Sequence, residues 1–372
     1  MKKLFIILIL AMMQQVSFSQ YIFTDTKDNQ CTEVKSQDKT GTCWSYSTTS
    51  FLESELIRMG KPKLDLSEMY TVRTIYMDKA QNYLLRQGKA NFGQGGLSHD
   101  VIRAYKMAGA VPESAYSGLT EGRIQHNHSR LERELKNYLD GLISKGEVPE
   151  DWRDKVNEIL DENLGPVHSS FEYAGKSLTA ETFTKTLGLN PDDYITLTSF
   201  THHPFYSKFI LEIPDNYSNG FYYNVPLDDL VGITDNAINT GYTIAWDADV
   251  SEPFFMFKPG IAFVPKDSIT MDSIFKETIE SGRFYEEVSV DQELRQQEFE
   301  NFHTTDDHLM HIVGTSKNNE GKTFYRTKNS WGTSNFYEGF VYVSPAYFRL
   351  KTIAIMVHKD AIPADLKTKL GL

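Results

Sequence analysis

The chain has 372 residues, 40% of them hydrophobic and 13% aromatic, which suits one large two-lobed unit or two domains and argues against wholesale disorder. With 38 Lys and Arg against 50 Asp and Glu, the formal charge is −12, which argues against a nucleic-acid backbone or an anionic membrane surface as the main partner. Lys2 and Lys3 precede the apolar run LFIILILAMM, and Ser17 and Ser19 offer small residues at the cleavage-pocket positions. This is the pattern of an export signal over residues 1–19, leaving Gln20 at the new N-terminus of a periplasmic or extracellular protein. No lipid-anchoring cysteine follows the cut. No later stretch approaches the roughly 18 apolar residues of a spanning helix, so no membrane anchor is expected.

Residues 43–59, CWSYSTTSFLESELIRM, predict a helix with apolar positions at Trp44, Phe51, Leu52, Leu56 and Met59, stopped by Gly60. A second helix is predicted from about Ser67 to Leu85, and GQGG introduces a third that Gly109 and Pro112 close. From Glu121 to Leu164 the charge-rich helical pattern reads as a solvated helical hairpin. After Gly165 come short β-type runs: YITLTSF, KFILEI, GYTIAWDADV and GIAFV, then LMHIVGTS, KTFYRTKNSW, GFVYVS and TIAIMVH. A helix-rich first half and a strand-rich second half predict an α+β enzyme of two lobes.

The chemistry centres on QDKTGTCWSYS. Cys43 stands where a polar turn feeds a helix, and a helix N-terminus favours the thiolate through its unpaired N–H groups and dipole. The mature chain has one other cysteine, Cys31, and export permits a disulfide; a nucleophilic role requires Cys43 to stay unpaired. Gln37, six residues upstream across a glycine-containing turn, can present its amide to an oxyanion. In DDHLMHIVG, His308 and His311 are candidate bases that point to opposite faces of a strand, so only one can serve. In KNSWG, Asn329 reaches the imidazole if the turn NNEGK closes an antiparallel pair.

Together, Q-x5-C-W, a distant H-x5-G and N-S-W-G resemble the papain-like cysteine peptidases. The family's histidine motif selects His308, because Gly314 stands six residues after it, and Asp307 precedes it as in many members. Gly95 and Gly96 fall at the family's cleft-lining Gly-Gly pair, which lets a substrate backbone come close. Secreted relatives have a disulfide whose two positions are Thr40 and Gly93 here, so both halves are absent together. The span from Cys43 to His308, about 265 residues, far exceeds the roughly 130–150 of a plain papain. The segments LGPVHSSFEYAGKSLTAETF, YYNVPLDDL and GYTIAWDADVS resemble the bleomycin hydrolase and aminopeptidase C branch, which inserts helices and strands between the lobes. The likeness covers about residues 30 to 363.

The resemblance implies a helical lobe over about 37–120, an inserted region over about 121–235 and a β lobe over about 236–372, together one peptidase domain over residues 20–372. It implies attack by Cys43, proton transfer through His308, orientation by Asn329, oxyanion stabilisation by Gln37 and the Cys43 N–H, and shielding of the His–Asn bond by Trp331. It places Gly95, Gly96 and Trp331 at the substrate, requires no cofactor or metal, and suggests a homo-oligomer by analogy. In the branch, the enzyme's own C-terminus blocks the cleft and confers aminopeptidase action. Here the sequence after IPADL ends at Leu372, a shorter arm that leaves exo- and endopeptidase action both open.

The leading reading is a cysteine aminopeptidase acting on peptides. An endopeptidase or dipeptidyl peptidase on the same fold, and a catalytically silent peptide-binding protein, are the alternatives. His126 and His128 in HNH, and the pair His202 and His203, read as solvated loop histidines, since no carboxylate or cysteine stands at ligand spacing in sequence.

Overall fold

The computed structural model describes residues 23–266 and 285–372; the export-signal reading of residues 1–19 lies outside the described residues. Five helices form one lobe: α1 (Cys43–Arg58), α2 (Glu68–Leu85), α3 (Ser98–Ala108), α4 (Ser129–Lys145) and α5 (Trp152–Leu164). Ser67 starts α2 by accepting the Tyr70 N–H at 3.0 Å. Gly109 ends α3 at φ 74°, a conformation that glycine adopts without strain.

Two expectations change in this lobe. The hairpin α4–α5 is only half solvated: Leu131, Leu135, Leu139 and Leu142, at helical spacing, are buried in one core with Val156 and Leu160. Met59, expected on the buried face of the first helix, lies just past its end and is 42% exposed.

The second half supplies β1 (Thr24–Asp28) with a partner sheet. Its strands are β4 (Tyr194–Thr198), β5 (Lys208–Ile210), β6 (Phe221–Asn224), β7 (Ile244–Ala248), β8 (Phe255–Met256), β9 (Ile261–Ala262), β10 (His308–Lys317), β11 (Thr323–Lys328), β12 (Phe340–Val343) and β13 (Thr352–His358). A small separate hairpin joins β2 (Phe171–Tyr173) to β3 (Lys176–Leu178). The large sheet runs β5-β6-β4-β13-β7-β10-β11-β12-β9-β8, and β1 joins it on β10 where β7 leaves off.

The α+β architecture is the expected one, but the second half is not purely strands. It holds α6 (Ala180–Leu187), α7 (Leu227–Asn239), α8 (Gln292–Glu300), α9 (Pro345–Lys351) and α10 (Ala364–Leu370). In α7, Leu227, Leu230, Ile233, Thr234, Ala237 and Ile238 form one buried stripe. That periodicity decides for helix despite the β-branched content. A second core lies between the sheet and α7, α9 and α10, built from Leu230, Trp246, Phe348, Leu366 and Leu370.

Helix α1 is wedged between the lobes. Every residue from Cys43 to Leu56 is buried, so its hydroxyls need partners on both sides. Ser45 Oγ donates to Glu68 O at 2.9 Å in the helical lobe, and Ser47 Oγ to Met310 O at 2.6 Å in the sheet. The start of α1 is thereby fixed against the start of β10, which brings Cys43 to His308.

Candidate active site

A cleft between the lobes is lined by Gln37, Gly41, Cys43, Gly95, Gly96 and Trp331, with Asp215, Val250 and the run Asp306 to Leu309. All seven sequence-derived site residues are therefore placed either on this cleft or directly behind it; Asn329 is the one behind. Cys43 and Cys31 are free thiols.

His308 opens β10, and β10 pairs antiparallel with β11 through the turn at 318–322. Asn329 follows β11 immediately and meets His308: Nε2 and Asn329 Oδ1 are 2.7 Å apart. The same Oδ1 accepts the Ser330 N–H at 2.7 Å, so that atom is the oxygen. His308 Nε2 must then be the donor, which leaves its Nδ1 lone pair as the acceptor. The Trp331 indole stacks on the His308 ring, centroids 4.7 Å apart, and is itself braced edge-on by Phe255 and Phe257. His311, three residues on, faces the other way and is buried, with Nδ1 2.9 Å from Ser50 Oγ.

Gln37 is held at three points. Its backbone N–H donates to Ser330 O at 2.8 Å, its Oε1 accepts from Ser330 Oγ at 2.7 Å, and its Nε2 donates to Thr40 O at 2.7 Å. An amide nitrogen carries two hydrogens, so one remains for the cleft.

Gly95 and Gly96 line the cleft, with a packing reason not visible in sequence. A Cβ on Gly95 would coincide with the Asp215 carboxylate, and one on Gly96 would stand 2.9 Å from the Trp44 indole. Trp44 is pinned by its Nε1–H, which donates to Gln94 O at 2.9 Å.

The family model for the Peptidase C1-like family matches residues 169–371, and that for papain family cysteine proteases matches residues 22–181. The chain belongs to the Peptidase C1-like family. It is similar to aminopeptidase G of Lactobacillus delbrueckii subsp. lactis, at 23% identity over 89% of this chain and 82% of that protein. It is also similar to aminopeptidase C of Streptococcus thermophilus, at 23% identity over 91% and 82%. The crystal structure of pepw from Lactobacillus rhamnosis superposes with a TM-score of 0.71 at 18% identity, covering 94% of this chain and 84% of that one. This Peptidase C1-like chain is thus a papain-like cysteine peptidase of the aminopeptidase C branch.

The electrostatics of this family member depart from the expectation of a thiolate favoured by the helix N-terminus. Burial pushes the Cys43 thiol up to about 12, against a smaller lowering by the Leu309 backbone, and pushes His308 down to about 4, against the Asn329 hydrogen bond. Both shifts have the same cause, the cost of a lone charge away from water. Each group, taken alone, is held towards its neutral form by burial. Moving the proton from Sγ to Nδ1 makes two opposite charges at once, and a bound substrate can offset their joint cost.

Two acidic residues on the cleft, Asp215 and Asp306, and one buried close by, Asp247, were not singled out in sequence. Asp215 comes from a turn-like stretch, IPDNYSNG, that carries no local signal of a site. Asp306 sits beside the recognised Asp307, and Asp247 lies on β7 opposite Leu309. Asp307 serves the turn below, accepting the Ser251 N–H at 3.1 Å.

The reading of His202 and His203 needs correction. The fold brings Glu212 to both, at 3.3 Å from His202 Nε2 and 2.8 Å from His203 Nε2, so a carboxylate partner exists. Gln296 accepts the Thr201 N–H through Oε1, which fixes its Nε2 as the donor to His202 Nδ1 at 3.0 Å. His202 Nε2 then carries its proton and donates to Glu212; this geometry suits a hydrogen-bonded trio. His126 and His128, read as solvated, are buried.

Proposed function

We propose that the protein is a thiol aminopeptidase that removes N-terminal residues from peptides, with Cys43, His308 and Asn329 as its catalytic set and Gln37 as oxyanion donor. The observation that carries this is the tautomer lock at His308: Asn329 Oδ1 accepts a hydrogen bond from Nε2–H, so Nδ1 is the base presented on the cleft that Cys43 shares. The preference for a free amino end rests on the likeness to aminopeptidases C and G.

In this mechanism Cys43 Sγ gives its proton to His308 Nδ1 and attacks the carbonyl carbon of the first residue. Gln37 Nε2 and the Cys43 backbone N–H hold the oxyanion. As the C–N bond breaks, the leaving amine takes the proton from His308, and the first residue stays as a thioester on Cys43. Water then attacks, giving a proton to His308, and the thiol is restored on release of the amino acid. Trp331 keeps water from competing for the His308–Asn329 bond.

The test uses leucine aminomethylcoumarylamide with a free and with an acetylated amine, on the parent and on Cys43→Ala. Cleavage of the free form alone, lost in Cys43→Ala without loss of fold, is expected; equal cleavage of the acetylated form would remove the aminopeptidase reading. The export-signal pattern of residues 1–19 supports a periplasmic or extracellular place for this activity, and N-terminal sequencing of the mature protein, expected to start at Gln20, tests that.

A further inference from the structure

The described part of the C-terminus does not line the cleft: Leu366 and Leu370 of α10 are packed in the second core. Another element closes it. Asp215, from the loop between β5 and β6, rests its carboxylate on Gly95 so closely that no Cβ fits. A peptide backbone running on over the Gly95–Gly96 pair would meet this side chain. Asn91 Nδ2 holds it there, donating to Oδ1 at 2.9 Å.

Beside it stand two carboxyls short of partners. Asp306 lines the cleft, and its Oδ2 is shut off from solvent. Asp247, 3% exposed, has both oxygens shut off. Among the described residues no N–H, hydroxyl or cation reaches any of these three atoms; the two carboxyls face each other, and a proton shared between them is the one bond they make. An unpaired buried carboxyl costs stability, and a group of them persists where a cation arrives to complete it. The neighbouring cation, Lys79, is already committed to the carbonyls of Gly93 and Gly95, with its ammonium 4.9 Å from the Tyr217 ring centre. Asp100 is committed as well, accepting the Leu97 N–H at 2.9 Å and the Ser218 hydroxyl at 3.1 Å.

We infer that Asp215 and Asp306, backed by Asp247, bind the α-ammonium of a peptide's first residue, so that the same loop that ends the cleft also selects for a free amine. An α-ammonium carries three N–H donors, enough to reach both carboxylates while the adjacent carbonyl lies at Cys43. Burial and mutual repulsion hold Asp306 up to about 7 and raise Asp215, as expected for acids that await a positive charge. This inference rests on the aminopeptidase reading and names the residues that would enforce it.

The experiment compares the parent, Asp215→Asn and Asp306→Asn on leucine aminomethylcoumarylamide, its acetylated form, and blocked dipeptide amides with Lys, Arg or Leu before the cleaved residue. The amide variants keep the shape of the side chain. Each is expected to raise KM for the free-amine substrate by about 10- to 100-fold, the weight of a charge-assisted hydrogen bond. The rate of Cys43 alkylation by iodoacetamide should not fall, because each carboxylate removed is a charge that raises the thiol. Parent-like KM in both variants, with the parent still selective for the free amine, overturns the inference and leaves the aminopeptidase reading standing. Equal cleavage of blocked and free substrates by the parent overturns both. Losses confined to blocked substrates with Lys or Arg overturn the α-ammonium assignment, because the pocket then reads a side chain.

Discussion

Ser330 ties Gln37 to the segment that carries Asn329: its hydroxyl donates to Gln37 Oε1 at 2.7 Å, and its carbonyl accepts the Gln37 N–H at 2.8 Å. Two site elements nearly 300 residues apart in the chain are thus one hydrogen-bonded unit. Gln37→Ala should lower kcat by about 100- to 1000-fold, the weight of one oxyanion donor. Ser330→Ala frees the amide without removing it and should give a smaller loss in kcat at similar KM, with about 1 kcal/mol of stability lost. Steady-state kinetics and thermal unfolding check both; a Ser330→Ala enzyme as impaired as Gln37→Ala would show that Ser330 does more than hold the amide.

The two histidines of β10 should separate cleanly. His308→Ala removes the proposed base and should cost about 1000-fold or more in kcat. His311 is buried against Ser50 and Phe51, and burial holds it neutral, well below the usual imidazole range. His311→Ala should lose about 2 kcal/mol of stability with kcat near the parent value. The reverse pattern would exchange their roles.

Stability should peak in mildly acidic solution. Burial raises Glu53 to about 7 and Glu113 to about 8, from 4.5, and Asp306 to about 7, from 3.8. The native state holds these protons after the unfolded chain has released them, so each acid's contribution is lost progressively as pH rises from about 4 to 4.5 up to its folded value of 7 to 8. Burial lowers His308 to about 4 and His128 to about 3, from 6.5. There the unfolded chain binds protons first, so stability falls as pH drops below 6.5 towards 4. The thermal midpoint, measured by calorimetry, should have its maximum near pH 4 to 5 and decline towards pH 8. In Glu113→Gln the alkaline decline should be shallower; a midpoint that climbs steadily to pH 8 contradicts this account.

Gly96→Ala should destabilise through packing. The added methyl would stand 2.9 Å from Trp44 Cε2, an indole already fixed by its bond to Gln94 O. With no flexible end to yield, the cost is about 1–3 kcal/mol, read as a lower midpoint of denaturant unfolding. An unchanged midpoint would show that the loop, and not the indole, can move.

Much of this site was legible because its chemistry is written in short stretches. Gln37, the turn and Cys43 lie within seven residues, and His308 and Asn329 flank one hairpin, so their meeting follows from a turn and a strand period. Helices α1, α2 and α3 were legible from their apolar spacing and stop residues. The helices of the second half were not, because α6, α8, α9 and α10 span only two or three turns and α7 is rich in β-branched residues. Asp215, Asp247 and Glu212 carried no local sign, since each acquires its neighbours from a different part of the chain.

The sequence alone therefore determined the α+β plan and pointed to the proposed reacting groups, because residue type and short spacing suffice to place a thiol at a helix start and an imidazole on a strand. Tertiary structure decided everything that depends on water and on distant neighbours. Burial raised the Cys43 thiol that a helix start would lower, and long-range packing set Asp215 on Gly95. Desolvation and close approach are properties of a neighbourhood assembled from many segments, and no single segment encodes them.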